Sequence, residues 1–315
     1  MRENIFPPNG WTPDRMGDLT GKTYVITGAT SGTGKEAAKN LIACGASVVM
    51  LNRNPEKSQS VIAAIQFEFG ADAPICAITL DLSDLSSVRS AAAQVLETTP
   101  KINALICNAA IAQVPKQKLT IDGFESQLGT NHYGHFLLCN LLFDRIESSA
   151  GRIVVVSSLG YKMGLKTIQF DDMNWDKNYH QNKTYCHSKL AQMMFAYALQ
   201  EKISIAGLST EVFVCHPGAS RTSLIETSAN QVSKIMFKIM EKMPFMQSAT
   251  HGAYPQLMCA TEPCLEQRAF YGPVGRLETR GPVGKGILHD YAYDPDVISK
   301  LWTVSEQETQ CTWSI

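Results

Sequence analysis

Two pairs of tyrosine and lysine, each four residues apart, lie in one short stretch, "NYHQNKTYCHSK": Tyr179 with Lys183, and Tyr185 with Lys189. On a helix this spacing puts both side chains on one face, where they are either surface neighbours or an acid/base pair. A phenol titrates near pH 10 and is a poor base at neutral pH, but an ammonium one turn away favours the phenolate. Such a pair can move a proton on or off a substrate oxygen. The surroundings separate the two pairs. Leu190, Met193, Met194, Tyr197 and Ala198 continue from Tyr185 as one apolar stripe, placing Tyr185 and Lys189 in the first turns of a buried helix. Tyr179 and Lys183 stand in "DKNYHQNKT", which is polar, has no apolar period and reads as a loop. Tyr185 and Lys189 are therefore the candidate pair.

A second chemistry lies near the N-terminus. "TGATSGTGKEAAKNLIACG" follows an apolar run directly and leads into a helix, so Gly28, Ser31, Gly32, Thr33 and Gly34 occupy a strand-to-helix turn. Glycines there let the backbone turn tightly and approach a pyrophosphate, while the helix N-terminus offers unpaired N–H groups and the positive end of its dipole. The spacing is G-x-x-x-G-x-G, a variant of the dinucleotide-binding fingerprint. The second strand ends in "LNRNPEK", where an acidic residue would bind a ribose 2′-hydroxyl. Here stand Asn52 and Arg53. That favours NADP(H) over NAD(H), with Arg53 as the phosphate contact and Lys57 as a second candidate; a solvated loop charge is the alternative for Arg53. Asp81 and Leu82, after the third strand, are placed to contact an adenine, or Asp81 is a turn residue before a helix capped by Ser83.

Six short runs rich in Val and Ile, at 22–27, 47–51, 75–80, 103–107, 152–157 and 210–215, alternate with helix-like segments. Such runs read as parallel strands buried on both faces, so the expected architecture is a doubly wound α/β sheet, a Rossmann fold. No linker and no second round of the pattern follow residue 216, which predicts a single domain over 21–315 with residues 1–20 as an extension. The chain has 315 residues, 44% of them apolar, and a net charge of −1, so it has no long-range field for nucleic acid and small molecules are its expected partners. Nine cysteines occur singly with no Cys-x-x-Cys pair, which argues against a zinc site or a disulfide framework and fits a reducing, cytoplasmic setting. The polar N-terminus does not resemble a signal peptide, and no run reaches the roughly 18 apolar residues of a membrane span.

Together these residues resemble the short-chain dehydrogenase/reductase family. The resemblance is carried by Thr27-Gly28-x-x-x-Gly32-x-Gly34, Asp81-Leu82, "CNAA" (107–110), Asn131, Ser158, Tyr185-x-x-x-Lys189 and "HPGASRT" (216–222), and it covers residues 20 to 225. "TNHYGHFLL" (130–138), "YCHSKLA" (185–191) and "FDDMNWDKNY" (170–179) are similar to the branch of retinol dehydrogenases and protochlorophyllide reductases. Cys107 and Ala110 depart from the family's usual "NNAG", while Asn108 and Ala109 keep its middle.

The resemblance implies an NADP(H)-dependent oxidoreductase acting on a carbonyl or alcohol of an apolar molecule. Tyr185 would be the general acid in reduction and the base in oxidation, with Lys189 hydrogen-bonding the nicotinamide ribose. Ser158, favoured over its neighbour Ser157, would hold the substrate oxygen, or be only a turn residue. Asn131 would keep a helix open and bind a water in a proton relay to Lys189, or merely cap or kink the helix expected over 121–146. Pro217, Gly218 and Thr222 would contact the nicotinamide carboxamide. Cys186 has no recognisable base, and His187 and His216 read as structural. A methionine-rich helix at 232–246 suggests a lid within a substrate loop at 222–250, a packing face or a subunit contact; the two "GPVG" repeats read as turns, with Arg276, Arg280 and Lys285 as a solvated rim. Dimers or tetramers are usual in the family. Reduction of a carbon–carbon double bond, and a non-catalytic NADP(H) sensor or scaffold, are the competing functions.

Overall fold

The computed structural model describes residues 2–220 and 246–315. All six expected strands are present within one residue of their predicted limits: β1 (Thr23–Thr27), β2 (Ser47–Asn52), β3 (Ile75–Thr79), β4 (Ala104–Cys107), β5 (Arg152–Val156) and β6 (Glu211–Cys215). Two more, β7 (Phe270–Pro273) and β8 (Val283–Lys285), complete a sheet of order β3-β2-β1-β4-β5-β6-β7-β8, parallel except for β8. The strand order reverses between β1 and β4, opening a crevice at their C-terminal ends.

Helices cover both faces. Among the described residues they are α1 (Gly32–Ala43), α2 (Pro55–Phe69), α3 (Leu85–Thr98), α4 (Ser126–Leu128), α5 (Gly134–Glu147), α6 (Gln181–Ala206), α7 (Ala249–Thr261) and α8 (Pro295–Thr309). Alternate strand residues feed two cores: Val25, Ile153 and Val155 join one, and Tyr24, Ile26, Val154 and Val156 join the other. Burial on both faces explains why these strands read as unbroken apolar runs. Edge strand β3 is the exception, being partly exposed along its length.

Two sequence expectations are corrected. The helix expected over 121–146 starts only at Ser126, because Leu119 and Glu125 pair in an antiparallel bridge and the buried Glu125 carboxylate caps α4 by accepting from the Gln127 and Leu128 N–H groups. The "GPVG" repeats are not simply turns: Gly272 and Pro273 pair with Gly284 and Val283, so one repeat is the sheet partner of the other. The N-terminal residues also pack on the body, with Trp11 and Leu19 each only 1% exposed and the Trp11 indole donating to Glu262 at 2.7 Å. No helix among the described residues is long and apolar enough to cross a membrane.

Candidate active site

The glycine turn is shaped by what it touches. Gly28 has φ +70°, and a Cβ there would lie 2.8 Å from the Ala109 Cα; a Cβ on Gly34 would lie 2.4 Å from the Asn108 amide nitrogen. The two glycines thus let the chain after β4 close on the chain after β1. Asn108 fastens this contact by donating to the carbonyls of Thr27 (2.9 Å) and Gly28 (3.1 Å) and accepting from the Thr33 hydroxyl (3.0 Å). Gly32 (φ +55°) opens α1 behind Ser31, and the first turn of α1 holds no acidic residue. A narrow backbone cradle facing the positive end of a helix dipole fits a pyrophosphate-bearing cofactor.

Asn52, expected to contact the cofactor, is 4% exposed and engaged within the protein. Its carbonyl oxygen accepts from Ala29 N at 2.7 Å and its amide donates to Ser58, so it locks the glycine turn to β2. Arg53 and Lys57 are exposed beside it. Asp81 accepts from the backbone and hydroxyl of Ser83 as a turn residue, Leu82 is buried, and Asp84 rather than Ser83 caps α3.

Tyr185 lies on the first turns of α6, with Lys189 one turn further. Ser158, just after β5, stands beside Tyr185, accepts from Gly160 N at 3.0 Å and caps a short 3-10 turn. Ser157 points elsewhere, donating to the Lys189 carbonyl at 3.1 Å. Gly160 forms a wall here, since a Cβ on it would lie 3.3 Å from the Tyr185 ring and 3.4 Å from the Ser158 hydroxyl. Burial pushes the phenol up to about 12 against the lowering effect of Ser158, contrary to the expected depression by Lys189. The reason lies in the lysine: its Nζ stands 6.0 Å from the ring centroid and donates to the Val156 carbonyl (3.0 Å) and Gln192 Oε1 (2.7 Å). Burial lowers Lys189 itself to about 7. The other pair separates: the Tyr179 hydroxyl donates to the Val114 carbonyl at 2.7 Å, and Lys183 is exposed on the first turn of α6.

Residues 22–233 match the family model of the short chain dehydrogenase. The chain belongs to the short-chain dehydrogenase family. Human retinol dehydrogenase 12 is 37% identical over 249 residues, which is 79% of this chain and 76% of that protein. Mouse retinol dehydrogenase 14 is 36% identical over 301 residues, 92% of this chain and 86% of that one. A solved structure of an uncharacterized protein from Mycobacterium Paratuberculosis superposes with a TM-score of 0.78 at 32% identity, covering 97% of this chain and 100% of that one. This short-chain dehydrogenase sits in the retinol dehydrogenase-like branch, and its class of chemistry is NAD(P)-dependent hydride transfer.

Asn131 of this dehydrogenase lies in a single π-helical stretch, Gly129–Tyr133, between α4 and α5. Its side chain accepts from Ile111 N (2.9 Å) and donates to the Ile111 carbonyl (3.0 Å) and the Ser188 hydroxyl (2.9 Å). The amide therefore joins the π turn to the chain after β4 and to α6. Pro217 accepts from Ser220 and Gln247, and Gly218 (φ +64°) is hemmed in by the Thr279 carbonyl, 2.3 Å from where a Cβ would stand. Thr222 and positions 232–245 lie outside the described residues, as does the greater part of the expected 222–250 loop. Buried His216 stacks on Phe270, and His187 accepts from Gln169 N, consistent with structural use.

Sequence reading missed His135 and Gln192, and named Thr27 only as part of the glycine motif. Thr27 directly precedes the first glycine and His135 follows Asn131 by one helical turn, but no local pattern ties one to the other. In the structure His135 bridges them, with its ring 2.9 Å from the Thr27 hydroxyl and 3.0 Å from the Asn131 carbonyl.

Proposed function

We propose that this short-chain dehydrogenase is NADP(H)-dependent and interconverts a carbonyl and an alcohol on an apolar small molecule. The observation that carries the reading is that the Tyr185 ring and the Ser158 hydroxyl meet at Gly160, 3.3 Å and 3.4 Å from where its Cβ would stand, with Lys189 one turn along the same helix as Tyr185. In this reading Ser158 orients the substrate oxygen and Tyr185 exchanges a proton with it. A phenol held at about 12 is protonated throughout the neutral range, the state required of an acid that protonates a forming alkoxide. Reduced nicotinamide, when bound, supplies the hydride. Oxidation needs the phenolate, so it should rise with pH. Asn131 keeps the π turn docked against α6 through Ser188, one turn after Tyr185.

Exposed Arg53, beside a β2 end without a carboxylate, supports the choice of NADP(H). An apolar substrate is supported by Met163 and Leu277, 81% and 69% exposed, each next in sequence to one member of the Lys162–Glu278 ion pair. The retinol dehydrogenase relatives are named for an apolar alcohol, in keeping with this.

The test is oxidation of NADPH and NADH with a panel of apolar aldehydes, ketones and enones, using wild type, Tyr185→Phe and Tyr179→Phe. Carbonyl turnover with NADPH in wild type and Tyr179→Phe, lost on the order of a hundredfold or more in Tyr185→Phe, is the expected result. Turnover of enones alone would assign the enzyme to carbon–carbon double bonds instead. Tight NADPH binding with no effect of Tyr185→Phe on any substrate would favour a sensor.

A further inference from the structure

Lys189 is 2% exposed, and Gln192, one turn further along α6, is 1% exposed. An ammonium carries three N–H donors and no acceptor, so a buried one depends on the oxygens around it. Lys189 has two, the Val156 carbonyl and the Gln192 side-chain oxygen, and the second is the closer at 2.7 Å. Gln192 faces the lysine at a cost to itself: its amide nitrogen is buried with no partner among the described residues. An apolar side chain of the same length would fill the space without leaving a donor unsatisfied.

We propose that Gln192 is a positioning residue that turns the Lys189 ammonium toward the end of β5 and keeps it charged. The role in turnover rests on the reading of Tyr185 and Lys189 as the proton-transfer pair. The other titratable groups acting on Lys189 are Tyr185 on its own helix, His135 on α5, and the thiols of Cys107 at the end of β4 and Cys215 at the end of β6. Among the described residues no carboxylate contributes to its environment. Gln192 is therefore the polar side chain that holds the cation, and a neutral amide does so without cancelling its charge.

The experiment uses the full chain with lysine 13C-labelled at Cε, in wild type, Gln192→Met, Gln192→Glu and Lys189→Ala. The alanine variant assigns the Lys189 resonance, and melting curves report folding. In protein without cofactor, Lys189 is expected to titrate near 7 in wild type, at least a unit lower in Gln192→Met and higher in Gln192→Glu. With NADP⁺ and 1-nonanol at pH 8, Gln192→Met should lose at least tenfold in kcat with little change in the KM for NADP⁺. A wild-type titration in folded Gln192→Met overturns the proposal. Should Lys189→Ala retain full kcat, the proton-transfer reading fails instead, while the NMR titration still decides whether Gln192 holds the charge.

Discussion

The imidazole of His135 stands 2.9 Å from the Thr27 hydroxyl, joining α5 to the strand end that carries the glycine turn. The other ring nitrogen faces the Asn131 carbonyl, which can only accept, so that nitrogen carries the proton and the Thr27 hydroxyl donates to the first. The same hydroxyl accepts from Ala109 N at 3.0 Å. One chain of hydrogen bonds thus holds together the glycine turn, the loop after β4 and the π turn of Asn131. Replacing His135 by Phe would leave a buried hydroxyl and a buried carbonyl short of partners, at about 1–3 kcal/mol each. Both the melting temperature and the affinity for NADPH are expected to fall, the latter read by quenching of protein fluorescence; unchanged NADPH affinity would separate the bridge from the cofactor turn.

Ser158, beside the phenol, lowers the titration of Tyr185 against the larger effect of burial. In Ser158→Ala the phenol should titrate higher. The rise of alcohol oxidation with pH should then move to more alkaline pH, while kcat for reduction falls roughly 10- to 100-fold through loss of the substrate contact. Ser157→Ala, which removes only a bond to the Lys189 carbonyl, should leave the pH profile in place. Paired pH–rate profiles of the two variants check this.

Exposed Arg53 is the residue expected to hold a 2′-phosphate. Charge-assisted hydrogen bonds contribute about 1.5–3 kcal/mol, so Arg53→Ala should weaken NADPH by roughly 10- to 100-fold and NADH hardly at all. Calorimetric titration with each cofactor measures the difference, and equal weakening of the two would remove Arg53 from phosphate recognition.

Four buried histidines forecast the acid limit of the fold. Burial lowers His132 and His216 to about 3 and His135 and His187 to about 4. In the unfolded chain each takes up a proton near pH 6.5, whereas in the folded chain each stays neutral until far lower pH, so stability declines as pH falls below 6.5. At about 1.4 kcal/mol per pH unit for each proton, four such groups lower stability by as much as about 5 kcal/mol per unit near pH 5. Cooperative unfolding is expected between pH 5 and 4, an order-of-magnitude window set against a typical stability of about 5–15 kcal/mol. Circular dichroism against pH checks it; a native signal persisting at pH 3.5 would contradict it.

What the sequence determined by itself were features set by near neighbours along the chain. Continuous Val and Ile runs mark strands buried on both faces, and glycine spacing behind β1 marks a turn that must close tightly on something. The apolar stripe after Tyr185 separates that pair from Tyr179 and Lys183, because a helical period is visible in a single segment. β7 and β8 stayed hidden, being short and interrupted by glycine and proline, and only their mutual pairing makes them strands. Tertiary structure decided where side chains point. Ser157 and Ser158 are adjacent in sequence, yet one turns to the α6 backbone and the other to Tyr185. Asn52 faces inward because Ala29 N needs an acceptor, and Lys189 turns to Gln192 and Val156 because a buried ammonium requires oxygens. The bond from Thr27 to His135 joins residues 108 positions apart, and only the packing of α5 against the sheet brings them within reach.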